Sequence, residues 1–255
     1  MIRNYLPYSL YSKLWGDRRK YSKKTFHHAD LDWKKWINIG YTHFYQHMQQ
    51  EGIGDWVCRL GYPILSDMDF SDKRVLEIGP GSIRHIKYIT KAPEVYFTID
   101  IEKHCLKMTR QILTAAQIRN EAILMDNRHD CFLPLQDESI DIIVSFYSLE
   151  HLDPLPYYLR EIKRVLKKGG SFIGAIPCEG GFVWGIGRYI TTRRHAMKEY
   201  HINYDKIICW EHPNFADFII KELDTCFTRC SVARKPFPEL PMDLNLVMTF
   251  NYSKT

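Results

Sequence analysis

The sequence lacks several features that would fix a function class at once. None of its seven cysteines forms a C-x-x-C pair, so neither a zinc site nor a dithiol redox motif is written into the spacing, and reduced, mostly buried thiols are expected. The adjacent His27 and His28 point in different directions on a helix or a strand, which argues against a metal there. No apolar run approaches a membrane span, and MIRNYLPYSLYSKLWGDRRK has neither the apolar core nor the cleavage site of a secretory signal, so a cytoplasmic protein is expected. Internal repeats and low-complexity tracts are absent too. The net charge of +5 is spread among interspersed acids and does not by itself call for nucleic acid.

What is present is a foldable chain of 255 residues, 45% hydrophobic and 25% charged. One stretch is locally skewed: YSKLWGDRRKYSKKTFHH sets Lys13, Arg18, Arg19, Lys20, Lys23 and Lys24 among aromatics against Asp17 alone. It reads as a solvated basic arm, or as a contact for an anion or a membrane surface. From Asp30, Trp33, Trp36, Ile37, Tyr41 and Phe44 recur at helical spacing, so residues 1–70 are expected to form this arm and a helical cap.

Residues 71–255 alternate. The runs VLEIG (75–79), VYFTID (95–100), AILMD (122–126), IDIIVSF (140–146) and SFIGAIP (171–177) read as strands, and CFTRCSV and LNLVMTFNY as two closing strands. Helical patterns lie between them, on Cys105, Met108 and Ile112, on Leu155, Leu159, Ile162 and Leu166, and from Phe215 to Leu223. The expected architecture is an α/β fold, a mostly parallel sheet covered by helices on both faces, with ligands bound beyond the carboxyl ends of the strands. The segment at about 179–212 breaks the rhythm and is long for a connection, so it is expected to be a functional insertion.

The first strand ends in Glu77-Ile78-Gly79-Pro80-Gly81, and SIRHIKYITK, with Ser82 near its cap, is expected to start a helix. Glycines there let backbone approach a ligand, and the helix start offers free N–H donors. Asp100 ends the next strand at the distance where nucleotide-binding α/β folds place a carboxylate on ribose hydroxyls. A dinucleotide loop would need glycine at residue 84, where Arg84 stands. An acidic loop without a phosphate to cradle suits a sulfonium nucleoside better.

At these residues the sequence resembles the class I S-adenosylmethionine-dependent methyltransferases, in their small-molecule branch, over roughly residues 73–178. VLEIGPGS resembles their first motif, TID with Asp100 their ribose-binding acid, and ILMDN with Asp126 their acid beside adenine. FLPLQDESIDIIVSFYSLEHL followed by LREIKRVLKKGGSF resembles the stretch that closes the cofactor pocket. The resemblance implies a Rossmann-like sheet of seven strands, S-adenosyl-L-methionine as cofactor, and cofactor contacts at Glu77, Gly79, Pro80, Gly81, Ser82, Asp100, Ile101, Asp126, Asn127, Ser145 and Phe146. The family pattern has a third glycine where this chain has Ile83. A left-handed backbone there would cost isoleucine roughly 1–2 kcal/mol, whereas a place in the first helical turn would cost little. Ile83→Gly is accordingly expected to leave activity similar or modestly improved.

For a hydroxyl acceptor a general base is expected at a strand end. His151, after the fourth strand, is the first candidate; His212, with Glu211 as orienting partner, is the second. Tyr147 and Glu150 are expected to face the substrate. Arg188, Arg193 and Arg194 in the insertion suggest an anionic acceptor, such as a phosphorylated or nucleotide-linked sugar. The EGG…TTRR and EHPN pattern is similar to bacterial methyltransferases of surface-polysaccharide biosynthesis. Lipid- or quinone-directed O-methylation, N-methylation and a non-catalytic cofactor-binding role remain as alternatives. Nucleic acid ranks below them, because SFYS stands where an amino-methylating enzyme would carry N-P-P-Y or D-P-P-Y.

Overall fold

A computed structural model describes residues 1–39, 52–125 and 131–255. The alternating apolar runs form one sheet of seven strands: β1 (Arg74–Ile78), β2 (Val95–Asp100), β3 (Asn120–Leu124), β4 (Ile140–Phe146), β5 (Leu166–Pro177), β6 (Thr228–Lys235) and β7 (Val247–Ser253). Their order is β3-β2-β1-β4-β5-β7-β6, and β7 alone runs antiparallel to its neighbours. The central strands are buried on both faces and therefore read as continuous apolar runs, as parallel strands do. The expected α/β fold is the observed one.

Each face of the sheet has its own core. Leu76, Ile78, Phe97 and Ile143 meet Leu155, Leu159 and Ile162 of the helix Leu155–Val165 on one side. Val75, Tyr96, Ile142 and Val144 meet Leu65, Phe70, Ile83 and Leu113 on the other. The helix Leu155–Val165 stops one residue short of Leu166, which opens β5, so KKGG belongs to an irregular start of that strand. In the helix Lys103–Ala115 the fully buried positions are Cys105, Leu106, Thr109 and Leu113, a stripe rotated from the expected one.

The helix expected after β1 does not form. Residues 79–85 are turns followed by a single 3-10 turn, Ile86–Tyr88. Ile83 has φ +44°, incompatible with a right-handed helix, and its side chain is buried in the core beside the loop. The position where the family pattern has glycine thus does use left-handed backbone, and isoleucine bears that conformation at a cost of roughly 1–2 kcal/mol.

The amino-terminal segment packs on the insertion. Helix Tyr8–Trp15 lies against helices Phe182–Arg188 and Tyr204–Glu211. Trp15 is 1% exposed and donates Nε1–H to Gly181 O, and a side chain at Gly185 would collide with its indole. The basic arm is therefore ordered: Arg18 and Lys23 turn inwards, while Lys13, Arg19, Lys20 and Lys24 remain exposed to solvent as expected. In the helix Leu31–Ile39, Trp36 is buried and Trp33 packs against Trp210, while Ile37 is exposed; Tyr41 and Phe44 lie outside the described residues. Lys206 pairs with Asp30 and Asp32 and ties this helix to Tyr204–Glu211. No helix among the described residues is long and apolar enough to cross a membrane.

Candidate active site

Two groups of residues meet at the carboxyl ends of the strands. The first lies at the ends of β1 and β2. Gly79 and Gly81 both take positive φ, at +64° and +52°. Gly79 needs its missing side chain because Ser148 sits against it, whereas Gly81 faces open space. Thr109 Oγ1–H donates to Gly81 O at 3.1 Å, and an ion pair joins Arg84 to Asp55, so both sides of the loop are held. Ser82 and Ile83 border a cavity of about 350 Å³ with Tyr62 and Ile112. Pro80 is buried in the turn, where its carbonyl accepts the Ile83 N–H.

Glu77 is 0% exposed, and its carboxylate lies among the protein's own groups. Its Oε2 accepts from Tyr96 Oη–H at 2.8 Å, and Oε1 lies 3.3 Å from His85 Nε2 without a hydrogen bond. It anchors the loop from beneath. Asp100 accepts the Glu102 N–H on Oδ1 at 2.8 Å, and burial pushes its pKa up to about 6, opposed by the backbone N–H groups that stabilise the carboxylate. Ile101 beside it is half exposed. An open glycine, a desolvated carboxylate and an exposed apolar side chain at adjacent strand ends fit a nucleoside: the carboxylate suits ribose hydroxyls and the isoleucine a base. Asp126 and Asn127 lie outside the described residues.

Three residues at the end of β4 make internal contacts of their own. Ser145 is buried and shares a 2.6 Å hydrogen bond with Ser148, whose Oγ also reaches Ile78 O. Phe146 packs on Tyr62 and His85. Tyr147 has φ +56°, which swings its ring away from the crevice, and its Oη–H donates to Cys58 O at 2.8 Å. Ser145 and Phe146 shape the loop, and Tyr147 is withdrawn from the substrate side.

The second group assembles from four segments. His151 follows β4 and donates Nδ1–H to Glu211 O at 2.9 Å. A carbonyl can only accept, so this bond fixes the proton on Nδ1 and leaves Nε2 with its lone pair. Burial first, then the neighbouring His212, hold the His151 pKa well below the usual histidine value. His212 lies in edge-to-face contact with His151, ring centroids 4.4 Å apart. Its Nδ1–H points at Glu179 Oε2, 2.5 Å away. Burial opposes a charge on His212, but Glu179 in contact, with Glu150 and Glu211 near, raises its pKa above the ordinary value. Their surroundings thus push the two imidazoles in opposite directions, His151 down and His212 up.

Glu211 is not the partner of His212. Its Oε1 accepts from Trp36 Nε1–H at 3.0 Å, and Oε2 lies 3.7 Å from His151 Nδ1. The partner is Glu179, 1% exposed, which follows β5 in Pro-Cys-Glu-Gly-Gly and is also gripped by Arg18. Arg18 donates as well to His212 O at 2.7 Å. Glu179 carried the same signal as Glu77 and Asp100, an acid at a strand end; Arg18 and Lys23 carried none. Burial pushes Glu150, 2% exposed, up to about 7, and its Oε2 has no hydrogen-bond partner.

Two of the three insertion arginines are committed elsewhere. Arg188 donates to Leu14 O and Lys13 O and pairs with Asp205, and Arg193 grips both oxygens of Asp205. Arg188 clamps the insertion to the amino-terminal helix, and Arg193 braces the insertion internally through Asp205. Arg194 is exposed and borders a cavity of about 420 Å³ with Ile190 and Met197.

Known proteins match parts of this chain. A family model described as a methyltransferase domain matches residues 76–174. A probable phthiotriol/phenolphthiotriol dimycocerosates methyltransferase 2 of Mycobacterium ulcerans is 31% identical over 114 residues, 43% of this chain and 42% of that protein. Mitochondrial arginine-hydroxylase NDUFAF5 of Mus musculus is 31% identical over 128 residues, 50% of this chain and 34% of its own length. The chain therefore spans less than half the length of either relative. The crystal structure of a SAM dependent methyltransferase from Aquifex aeolicus shares the fold, with a TM-score of 0.51 at 13% identity over 77% of this chain and 91% of that one.

Proposed function

We propose that this chain, which carries a class I S-adenosylmethionine-dependent methyltransferase domain over residues 76–174, methylates a hydroxyl group of a small-molecule acceptor. The observation that supports a hydroxyl is His151: a desolvated, neutral imidazole whose tautomer leaves Nε2 free to take a proton. S-adenosylmethionine supplies an electrophilic methyl group on a sulfonium. The chain supplies the rest. Gly81 gives backbone access, Asp100 holds ribose hydroxyls, and Ile101 covers the base.

On the acceptor side, His151 Nε2 removes the hydroxyl proton as the oxygen becomes a nucleophile, and alignment lowers the barrier by up to about 7–11 kcal/mol. His212, held by Glu179, lies in edge-to-face contact with the His151 ring and keeps that base in place. A neutral, glycan-like hydroxyl compound fits these groups better than a phosphorylated sugar, because Arg188 and Arg193 already serve Asp205.

The test is methyl transfer from radiolabelled S-adenosylmethionine to a panel of hydroxyl acceptors, with calorimetry on S-adenosylhomocysteine. Cofactor binding with turnover that His151→Ala abolishes is expected. Full turnover in His151→Ala, or no heat with S-adenosylhomocysteine, overturns the assignment.

A further inference from the structure

In the acceptor-side cluster both imidazoles are fixed through the same ring atom. His212 Nδ1 meets Glu179 Oε2 at 2.5 Å, and His151 Nδ1 meets Glu211 O at 2.9 Å. Histidines that ligate metal ions are held in this way, the second ring nitrogen bound to a carboxylate or a backbone carbonyl. The nitrogen left on each ring is Nε2. Glu211 is oriented as well: Trp36 Nε1–H occupies its Oε1 at 3.0 Å, leaving Oε2.

One ligating atom each from His151, Glu211 and His212 lies within 4.8 Å of the other two. Tetrahedral metal bonds of about 2.0–2.1 Å place donors about 3.4 Å apart, so closing on an ion requires side-chain shifts on the order of 1 Å. Charge runs the same way. Glu150, Glu179 and Glu211 face His212, and Glu150 Oε2 is buried without a partner, while Arg18 and Lys23 are the cations set against them.

We propose that His151, His212 and Glu211 form a binding site for a divalent transition-metal ion, oriented by Glu179, the Glu211 carbonyl and Trp36. Two imidazoles and one carboxylate suit Zn²⁺, Co²⁺ or Fe²⁺, not the all-oxygen shells of Ca²⁺ or Mg²⁺. Three protein ligands leave a coordination position open, as at catalytic sites. With the ion bound, His151 acts as a ligand and the ion takes over the lowering of the acceptor hydroxyl's pKa; without it, His151 is the base. The ion and the proton of the acceptor hydroxyl compete for the same His151 Nε2, but ion binding is read out independently of methyl transfer.

The metal-free chain is titrated with Co²⁺ and followed by visible absorption, with Zn²⁺ equilibrium dialysis for stoichiometry. One Co²⁺ per chain, with a four- or five-coordinate spectrum and displacement by Zn²⁺, is the expected result. Glu211→Gln, which preserves the hydrogen bond from Trp36, and His212→Ala should each weaken binding at least a hundredfold. Glu179→Gln should weaken it about 10–100-fold, and His104→Ala, on the exposed face of its helix, should not change it. No bound ion, or an affinity unchanged in Glu211→Gln and His212→Ala, overturns the site. S-adenosylhomocysteine calorimetry on the same samples separates the two readings: cofactor heat without ion binding removes the metal site alone, and absent cofactor heat removes the methyl-transfer reading alone.

Discussion

On the cofactor side of the crevice Gly79, Gly81, Asp100 and Ile101 come from two neighbouring parallel strands, a few residues from where each strand ends. On the acceptor side Arg18, His151, Glu179, Glu211 and His212 come from the amino-terminal arm, the loop after β4, the end of β5 and the far end of the insertion. The first side needs only the sheet. The second needs the helix Tyr8–Trp15 seated on the insertion, through Trp15 against Gly181 and Arg188 against Leu14. On the proposed reading, a cofactor crevice can persist while acceptor chemistry changes, because the residues assigned to the acceptor ride on a separately docked layer.

Breaking the acceptor side while sparing the cofactor side is the sharpest test of that division. His151→Ala should cut turnover by about 10²–10⁴-fold, as measured by labelled methyl transfer, with S-adenosylhomocysteine binding unchanged. The converse is Asp100→Ala. Losing hydrogen bonds from a charged group, worth about 1.5–3 kcal/mol, should weaken cofactor binding roughly 10–100-fold in calorimetry and leave the folding of the arm on the insertion intact.

Glu179→Gln should lower the pKa of His212, since that carboxylate in contact is what outweighs the burial opposing its charge. The imidazole resonances of His212 in an NMR titration should move at lower pH than in the parent. A pH profile of turnover that shifts in the same direction would tie turnover to His212.

Glu150 gives a stability test. Burial raises its pKa to about 7, from an ordinary 4.5. A raised carboxyl favours the folded state while protonated, so its contribution is lost as pH climbs from 4.5 through about 7 and is constant above. Thermal melts at pH 5 and pH 8 should therefore show a smaller decline for Glu150→Gln than for the parent chain.

The smallest effect is expected at Ile83. Releasing left-handed backbone gains roughly 1–2 kcal/mol, but the side chain is 1% exposed and burying it is worth about 1.5–3 kcal/mol. Burial wins, and Ile83→Gly should lower stability by about 1 kcal/mol, a fall in Tm of about 2–4 °C. Cofactor binding should survive, because Gly79 and Gly81 carry the turn.

The strands were legible because runs such as VLEIG and IDIIVSF need no partner to declare themselves: β-branched and apolar residues in short blocks state that both faces are covered. The helix after β1 was misread because SIRHIKYITK has helical spacing, while Ile83 is drawn into the core in a conformation that spacing does not reveal. The position of His151 just after β4 was legible from the strand pattern. Its neighbours were not: Glu211 adjoins His212 in sequence, yet the helix Tyr204–Glu211 ends there and sends the two side chains to different partners. Arg188 and Arg193 looked like an anion site only because Asp205, more than ten residues on, was not yet beside them.

The sequence by itself determined the sheet and its strand ends, because periodic burial and residues at the tip of a strand are local properties. Tertiary structure alone decided which carboxylate holds which histidine, and that Arg18 of the basic arm reaches Glu179 and the His212 carbonyl. The reason is physical: the energy of a buried charge depends on the group brought within about 3 Å of it, and that neighbour comes from a distant segment whose position is set by docking.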